Sequence, residues 1–398
     1  MRYIYRKDMI SEILEKSFKS TSTLEELLKN KLEATGLSKT HFERLAGIQR
    51  KSLDAILDKS SKQTDIVNLL KLGEFLELDF EELLVLHFKD RPSDEIKDLQ
   101  NSMEITYINK NFDLKTLASL GFIKTDDSVD ALSERICCFF DLDSIYDYEK
   151  ELNDALYSRT KRSFNDKMKD FWLKSSYKYF ELINNPNDYS RESLIDLIPK
   201  IKPYTQNVEK GLLTVFQALY NVGVTVVFQP SLPKTQIRGA TFFIDNKPCI
   251  VITDLNKNYA TIWFALIHEL HHVLFDLDTI ENTAFHLTGE PDLFLLQEDK
   301  ANEFASEYLL STEKMRYIEK LINNPFVVNR FAKESQIHSC IIYSQYQWRQ
   351  SELGNNYWGH FKKYFPDVSL ATKNLNVANW EVESLKIAAK KIKELLTV

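Results

Sequence analysis

The chain has 398 residues, 43% of them hydrophobic and 27% charged, with a formal net charge of −7. That length has room for two or three domains with a core each, and the composition excludes a disordered or fibrous chain. The acidic balance excludes a global basic field, so any contact with nucleic acid has to come from a local patch.

Glycine and proline number only 10 each, which points to a mostly helical protein with little loop. The cysteines, Cys137, Cys138, Cys249 and Cys340, form no CxxC pair. Neither a zinc ribbon nor a disulfide framework is expected from them. The first twenty residues lack the apolar core and small-residue cleavage site of an export signal. No apolar run approaches the ~20 residues of a membrane span. The expectation is a cytoplasmic protein with no membrane contact.

After an N-terminal extension (1–20), residues 21–90 carry five short helical patterns. They fall at 24–34, 38–46, 49–58, 65–77 and 79–88, with Gly36 and Gly47 at two of the breaks. The run LSKTHFERLAGIQRKSLDAIL and the tail FLELDFEELL resemble the helix-turn-helix of XRE-type regulators. The resemblance implies double-stranded DNA as a partner, and a homodimer reading paired half-sites. A recognition helix starting near Gln49 would offer Gln49, Arg50, Lys51 and Ser52 at its N-terminal end, where base edges are met. Lys39, Arg44, Lys59 and Lys62 are then candidates for phosphates. Asp54 faces the same side. A helical module that dimerises or grips another protein is the alternative.

Residues 91–200, with segments such as DLKTLASLGF and ALSERICCFFDL, have helical periodicity and no chemical motif. They are expected to be a helical connector. From about 205 the pattern changes. VEKGLLTVFQALYNVG is a helix ending at Gly223, and VTVVFQP (224–230), GATFFID (239–245) and CIVITD (249–254) are strand-like runs. The turn-forming DNKP at 245–248 joins the last two as a hairpin. A helix over 259–276 follows, then a loop containing GEPD, a second helix over 297–310, and more helix to the end. The fold class is α+β and predominantly helical. It divides into an all-α helix-turn-helix domain (21–90), a connector (91–200), a domain with a small β-sheet (201–350), and a helical C-terminal segment (351–398).

The chemistry sits in HELHH at 268–272, three of the chain's 8 histidines inside an otherwise apolar helix. Residues four apart on a helix share a face, so His268 and His272 can hold one ion between them. Glu269 points about 100° around and reaches a water beside that ion. This is the H-E-x-x-H arrangement of two zinc ligands and a proton-accepting carboxylate. His271 lies off the shared face and is a packing or surface residue.

A catalytic zinc takes a third protein ligand. The long helix-turn pattern that would supply a third histidine needs glycine at 275 and histidine at 278, where the chain has Phe275 and Asp278. Glu298 is the better candidate, with Asp278 behind it. On the second helix Glu298, Ala301, Asn302 and Ala305 share one face. The two alanines let that face approach the histidine helix closely, and Asn302 can steady a ligand.

HELHH followed by EDKANEFASEYLL resembles the ImmA/IrrE family of bacterial metallopeptidases, whose pattern is HExxH followed by E-x-x-A-N-x-F-A. Glu298, Ala301, Asn302, Phe304 and Ala305 are in register, over a resemblance spanning roughly 205–350. It departs at His271, where many members carry glycine, and at 344–346, where an Arg-Leu pair is common. The resemblance implies that 201–350 is a zincin-like metallopeptidase domain, with zinc held by His268, His272 and Glu298 and with Glu269 as general base. One strand of the 239–254 hairpin is expected to grip an extended peptide by edge pairing, and His338 is a candidate donor to the oxyanion. The function implied is a zinc endopeptidase that regulates transcription by cutting a repressor or antitoxin, in a mobile-element, toxin–antitoxin or phage-defence setting. A non-catalytic DNA-binding regulator with a structural or sensory zinc is the alternative.

Overall fold

Helix caps written into the N-terminal third are used as they stand. In the computed structural model, which describes residues 13–14, 16–17, 22–59, 63–89, 91, 93–149, 166–283, 285–288, 298–375 and 378–397, five short helices follow one another. They are α1 (Leu24–Thr35), α2 (Lys39–Ala46), α3 (Arg50–Leu57), α4 (Ile66–Phe75) and α5 (Phe80–Phe88). Thr23 with Glu26 and Asp79 with Glu82 close reciprocal capping boxes at α1 and α5, satisfying backbone donors that each helix start leaves open. Gly47 ends α2 in the left-handed region at φ 62°, a conformation that costs glycine nothing. Only Gly47, Ile48 and Gln49 separate α2 from α3. The turn folds their apolar faces onto one core with Leu24, Phe42, Ile48, Leu53, Leu72 and Leu83.

The chain divides into two compact units, 1–105 and 106–398, and the division falls inside α6 (Ser93–Asn111). Residues 106–398 hold together as one of these units. Arg135, in α7 (Val129–Phe140), shows why. Its guanidinium stacks over Phe122 at 4.3 Å and donates to the carbonyls of Trp380, Val382 and Glu383. The connector and the C-terminal segment are thereby tied together. At the chain's end, α13 (Leu385–Leu396) receives a hydrogen bond at the Leu395 carbonyl from Gln217.

The sheet of this unit has four strands, β1 (Thr225–Phe228), β2 (Gly239–Ile244), β3 (Lys247–Ile252) and β4 (Phe285–Thr288), in the order β1-β3-β2-β4. β1 runs parallel to β3, and the other pairs are antiparallel. Asp245 and Asn246, with φ of 50° and 61°, make the two-residue turn whose twist suits a hairpin. The order corrects one expectation. Both hairpin strands are interior, so neither offers an edge to a peptide; among the described residues the outer strands are β1 and β4.

Three helices build the site around this sheet. α10 (Tyr259–Phe275), the histidine helix, is buried on nearly every side from Tyr259 to Leu274. α11 (Glu298–Leu309) lies along it, with Ala301 and Ala305 fully buried between them, and α12 (Ser339–Glu352) closes the far side. Preceding them are α8 (Lys167–Ile183) and α9 (Gly211–Asn221). No helix among the described residues is long and apolar enough to cross a membrane.

Candidate metal centre

One turn apart on α10, His268 and His272 bring their Nε2 atoms to 3.1 Å of each other. Because Ala301 and Ala305 have no bulk to hold the helices apart, the first turn of α11 delivers Glu298 to the same point. Its Oε2 is 3.4 Å from His268 Nε2 and its Oε1 3.3 Å from His272 Nε2. Four-coordinate zinc with bonds near 2.1 Å separates its ligand atoms by about 3.4 Å. The two imidazole nitrogens and the Glu298 carboxylate, one oxygen toward each, therefore stand near the spacing zinc requires.

The ring protons support the same reading. His268 Nδ1 faces Asn302 Oδ1 at 3.1 Å and His272 Nδ1 faces Asp276 Oδ2 at 2.8 Å. Both partners can accept, so a proton kept on each Nδ1 leaves the two Nε2 atoms to share a proton or a metal ion. Their 3.1 Å separation calls for a cation there. Burial opposes charge on His272, yet the Asp276 and Glu298 carboxylates raise its pKa to about 9. Burial also pushes the Glu298 carboxyl up. Hydrogen bonds from His268, His272 and His286 outweigh that and hold it well below the usual carboxylate range. The donor set is anionic and seeks a cation, either a proton or a metal that displaces it.

Glu269 is fully buried, and its Oε2 accepts a hydrogen bond from Thr241 Oγ1 at 2.7 Å. β2 passes directly beneath it. A Cβ at Gly239 would stand 2.4 Å from Glu269 Oε1, so the glycine makes room for the carboxylate. Thr241 pairs across the sheet with His286 of β4, and His286 Nε2 is 2.6 Å from Glu298 Oε1. One cross-strand pair thus touches both carboxylates of the site.

The other sequence candidates are placed as follows. His271 packs against Phe275 and Phe304, and burial lowers its pKa. With His272 and Asp276 it forms a second group of possible donors, but that group borrows the Asp276 contact that orients His272. Asp278 stands outside both groups. His338 is not brought to the metal donors. It caps α12, its Nδ1 accepting from the Cys340 amide, and its ring lies against Tyr259. Tyr259 is nine residues, about 13 Å of helix, before His268.

In the N-terminal unit, Gln49, Lys51 and Arg44 are exposed and Ser52 is half-buried. Lys39 is paired with Asp54 at 2.7 Å, with Arg50 at 3.8 Å from the same carboxylate. Lys59 donates to the Lys89 carbonyl. Lys62 lies outside the described residues.

Sequence reasoning passed over Asp276, Thr241 and His286. Asp276 was within reach, four residues beyond His272. Thr241, a lone hydroxyl in an apolar strand, carried a weak signal. His286 carried none, because its place depends on strand pairing. A cavity of about 490 Å³ opens beside this cluster, walled in part by Phe264, Asn302, Ile341 and Trp348. Asn302, which faces His268 Nδ1, also lines this cavity.

Residues 221–334 match the family model of the IrrE N-terminal-like domain, peptidase family M78. The match begins at the end of α9 and takes in the whole sheet, α10 and α11. It supports a metallopeptidase of the IrrE/ImmA kind. No curated protein and no solved structure matches the chain.

Proposed function

With a metallopeptidase family matched over the segment that holds the donor cluster, we propose that the chain is a cytoplasmic, zinc-dependent endopeptidase coupled to a DNA-binding helix-turn-helix. Its substrate is a repressor or antitoxin protein. The observation that carries the reading is the pair of histidines whose Nδ1 atoms face Asn302 and Asp276, with Glu298 at zinc spacing from their Nε2 atoms, beside a separately held Glu269. A structural metal needs ligands and no base.

Zinc, when bound by His268, His272 and Glu298, supplies a Lewis acid that polarises the scissile carbonyl and lowers the pKa of water toward ~7. Glu269 accepts the proton of the attacking water and returns it to the leaving amine. Thr241 fixes the oxygen of Glu269 that is not needed for the transfer. Asn302 and Asp276 hold the two imidazoles in the tautomer that presents Nε2. The cavity beside His268 takes apolar side chains of the peptide, being within the size of an ordinary ligand pocket.

The test is digestion of a peptide mixture by the zinc-loaded chain, with new termini read by mass spectrometry. Cleavage that stops with 1,10-phenanthroline and returns with zinc is the expected result. Zinc binding with no cleavage of peptides or of neighbouring repressors would instead favour the non-catalytic regulator.

For the N-terminal unit, the three-residue turn between α2 and α3 and the exposed Gln49 and Lys51 support DNA contact. Asp54 works against it by occupying Lys39 and Arg50. Duplex binding followed by fluorescence anisotropy is expected to weaken about tenfold in Arg44→Glu/Lys51→Glu, with a shallower salt dependence. Absence of duplex binding by the unaltered chain at low salt would leave these helices as a protein-binding module.

A further inference from the structure

We propose that His286 is a positioning residue of the metal centre, donating a hydrogen bond to one oxygen of Glu298 so that the other is the oxygen offered to the metal. The proposal rests on the zinc reading and goes beyond it, because neither the H-E-x-x-H pattern nor the downstream glutamate assigns any role to a histidine on β4.

The argument starts from tautomers. His268 and His272 both face acceptors through Nδ1, which leaves Nε2 as the nitrogen each can offer to a metal. His286 is the opposite case. Its Nε2 faces a carboxylate oxygen, Glu298 Oε1, at 2.6 Å, so the proton is on Nε2 and this nitrogen donates. A histidine in that state is a partner for the ligand and not a ligand itself. Its position agrees. His268, His272 and Glu298 have ligand atoms mutually within 4.8 Å, and His286 is not of that group.

The ring is also fixed. His286 is 1% exposed, paired in register with Thr241, and its ring centroid lies 4.5 Å from that of His272. Glu298 sits at the first turn of α11 with its side chain partly open to solvent. Left alone, such a carboxylate can turn both oxygens toward a metal and fill the position that water needs. His286 holds Oε1, which also stands 3.3 Å from His272 Nε2, and Oε2, 3.4 Å from His268 Nε2, is the oxygen left for the metal. The strand pair then divides its labour: Thr241 steadies the base and His286 the ligand.

The experiment measures metal binding on the full chain, with His286→Phe, which keeps a ring and loses the donor, and His286→Gln, whose amide N–H can reach Glu298. Zinc affinity is read by competition with a chromogenic chelator, and coordination by the visible spectrum of the cobalt-substituted protein. We expect His286→Phe to bind zinc about 10- to 100-fold more weakly. Its cobalt absorption should fall toward the weaker bands of higher coordination, and His286→Gln should restore most of both. Circular dichroism melts without metal should stay close to those of the unaltered chain. Unchanged affinity and spectrum in His286→Phe would overturn the proposal while leaving the peptidase reading intact. A far larger loss that glutamine does not relieve would overturn it too, by making His286 a ligand. An unaltered chain that takes up no zinc would sink the peptidase reading itself.

Discussion

Glu298→Ala is expected to reduce bound zinc from about one per chain to a small fraction of that, measured by elemental analysis after dialysis against a weak chelator. The size of the effect follows from what the carboxylate contributes. It is the single anionic donor in a set whose other two members are neutral imidazoles, and it stands 3.3–3.4 Å from both of them. Without it two histidines one helical turn apart remain, a pair that holds zinc weakly. The apo fold is expected to survive. The packing of α11 runs through the buried Ala301, Ala305 and Leu309, whereas Glu298 is partly open to solvent and contributes polar contacts to the histidines. Zinc retained at full occupancy in this variant would move the centre to the other available group, His271, His272 and Asp276. Asp276→Asn would then remove the metal, which it is not expected to do in the arrangement favoured here.

What could be read from the sequence divides along the line between local and non-local determinants. Helix limits in the N-terminal unit fall within a residue or two of expectation, because capping side chains and the left-handed glycines Gly36 and Gly47 act on their immediate neighbours. The donor trio was legible for the same reason. Spacing of four within α10 and the shared face of Glu298, Ala301, Asn302 and Ala305 are properties of helix geometry alone. The hairpin turn was legible too, but not the place of the hairpin in the sheet. That place is set by β1 pairing beyond β3 and β4 pairing beyond β2, neither of which leaves a trace in local periodicity. His286 was invisible on the same account. Its strand is four residues long, and only the register with β2 puts its ring against Glu298. His338, read as chemistry from its place before a helix, has its Nδ1 committed to capping that helix.

Glu269→Gln is expected to leave zinc content unchanged and to lower peptide cleavage by about 10²- to 10⁴-fold, the span that a positioned general base contributes. The two halves of that outcome come from different contacts. Retention of zinc follows because Glu269 is not among the donor atoms clustered at His268, His272 and Glu298. Packing is preserved because glutamine has the same shape, so it fills the space left over Gly239 and its amide oxygen still accepts from Thr241. What disappears is the one property the amide lacks, a basic oxygen to receive the proton of water. Thr241→Val provides the graded comparison. It leaves the carboxylate in place and removes the hydrogen bond that orients it, so cleavage should fall by less than in Glu269→Gln. A Glu269→Gln chain that binds zinc and cleaves as fast as the unaltered one would take the base away from Glu269, and with it the reason for a buried carboxylate that no metal needs.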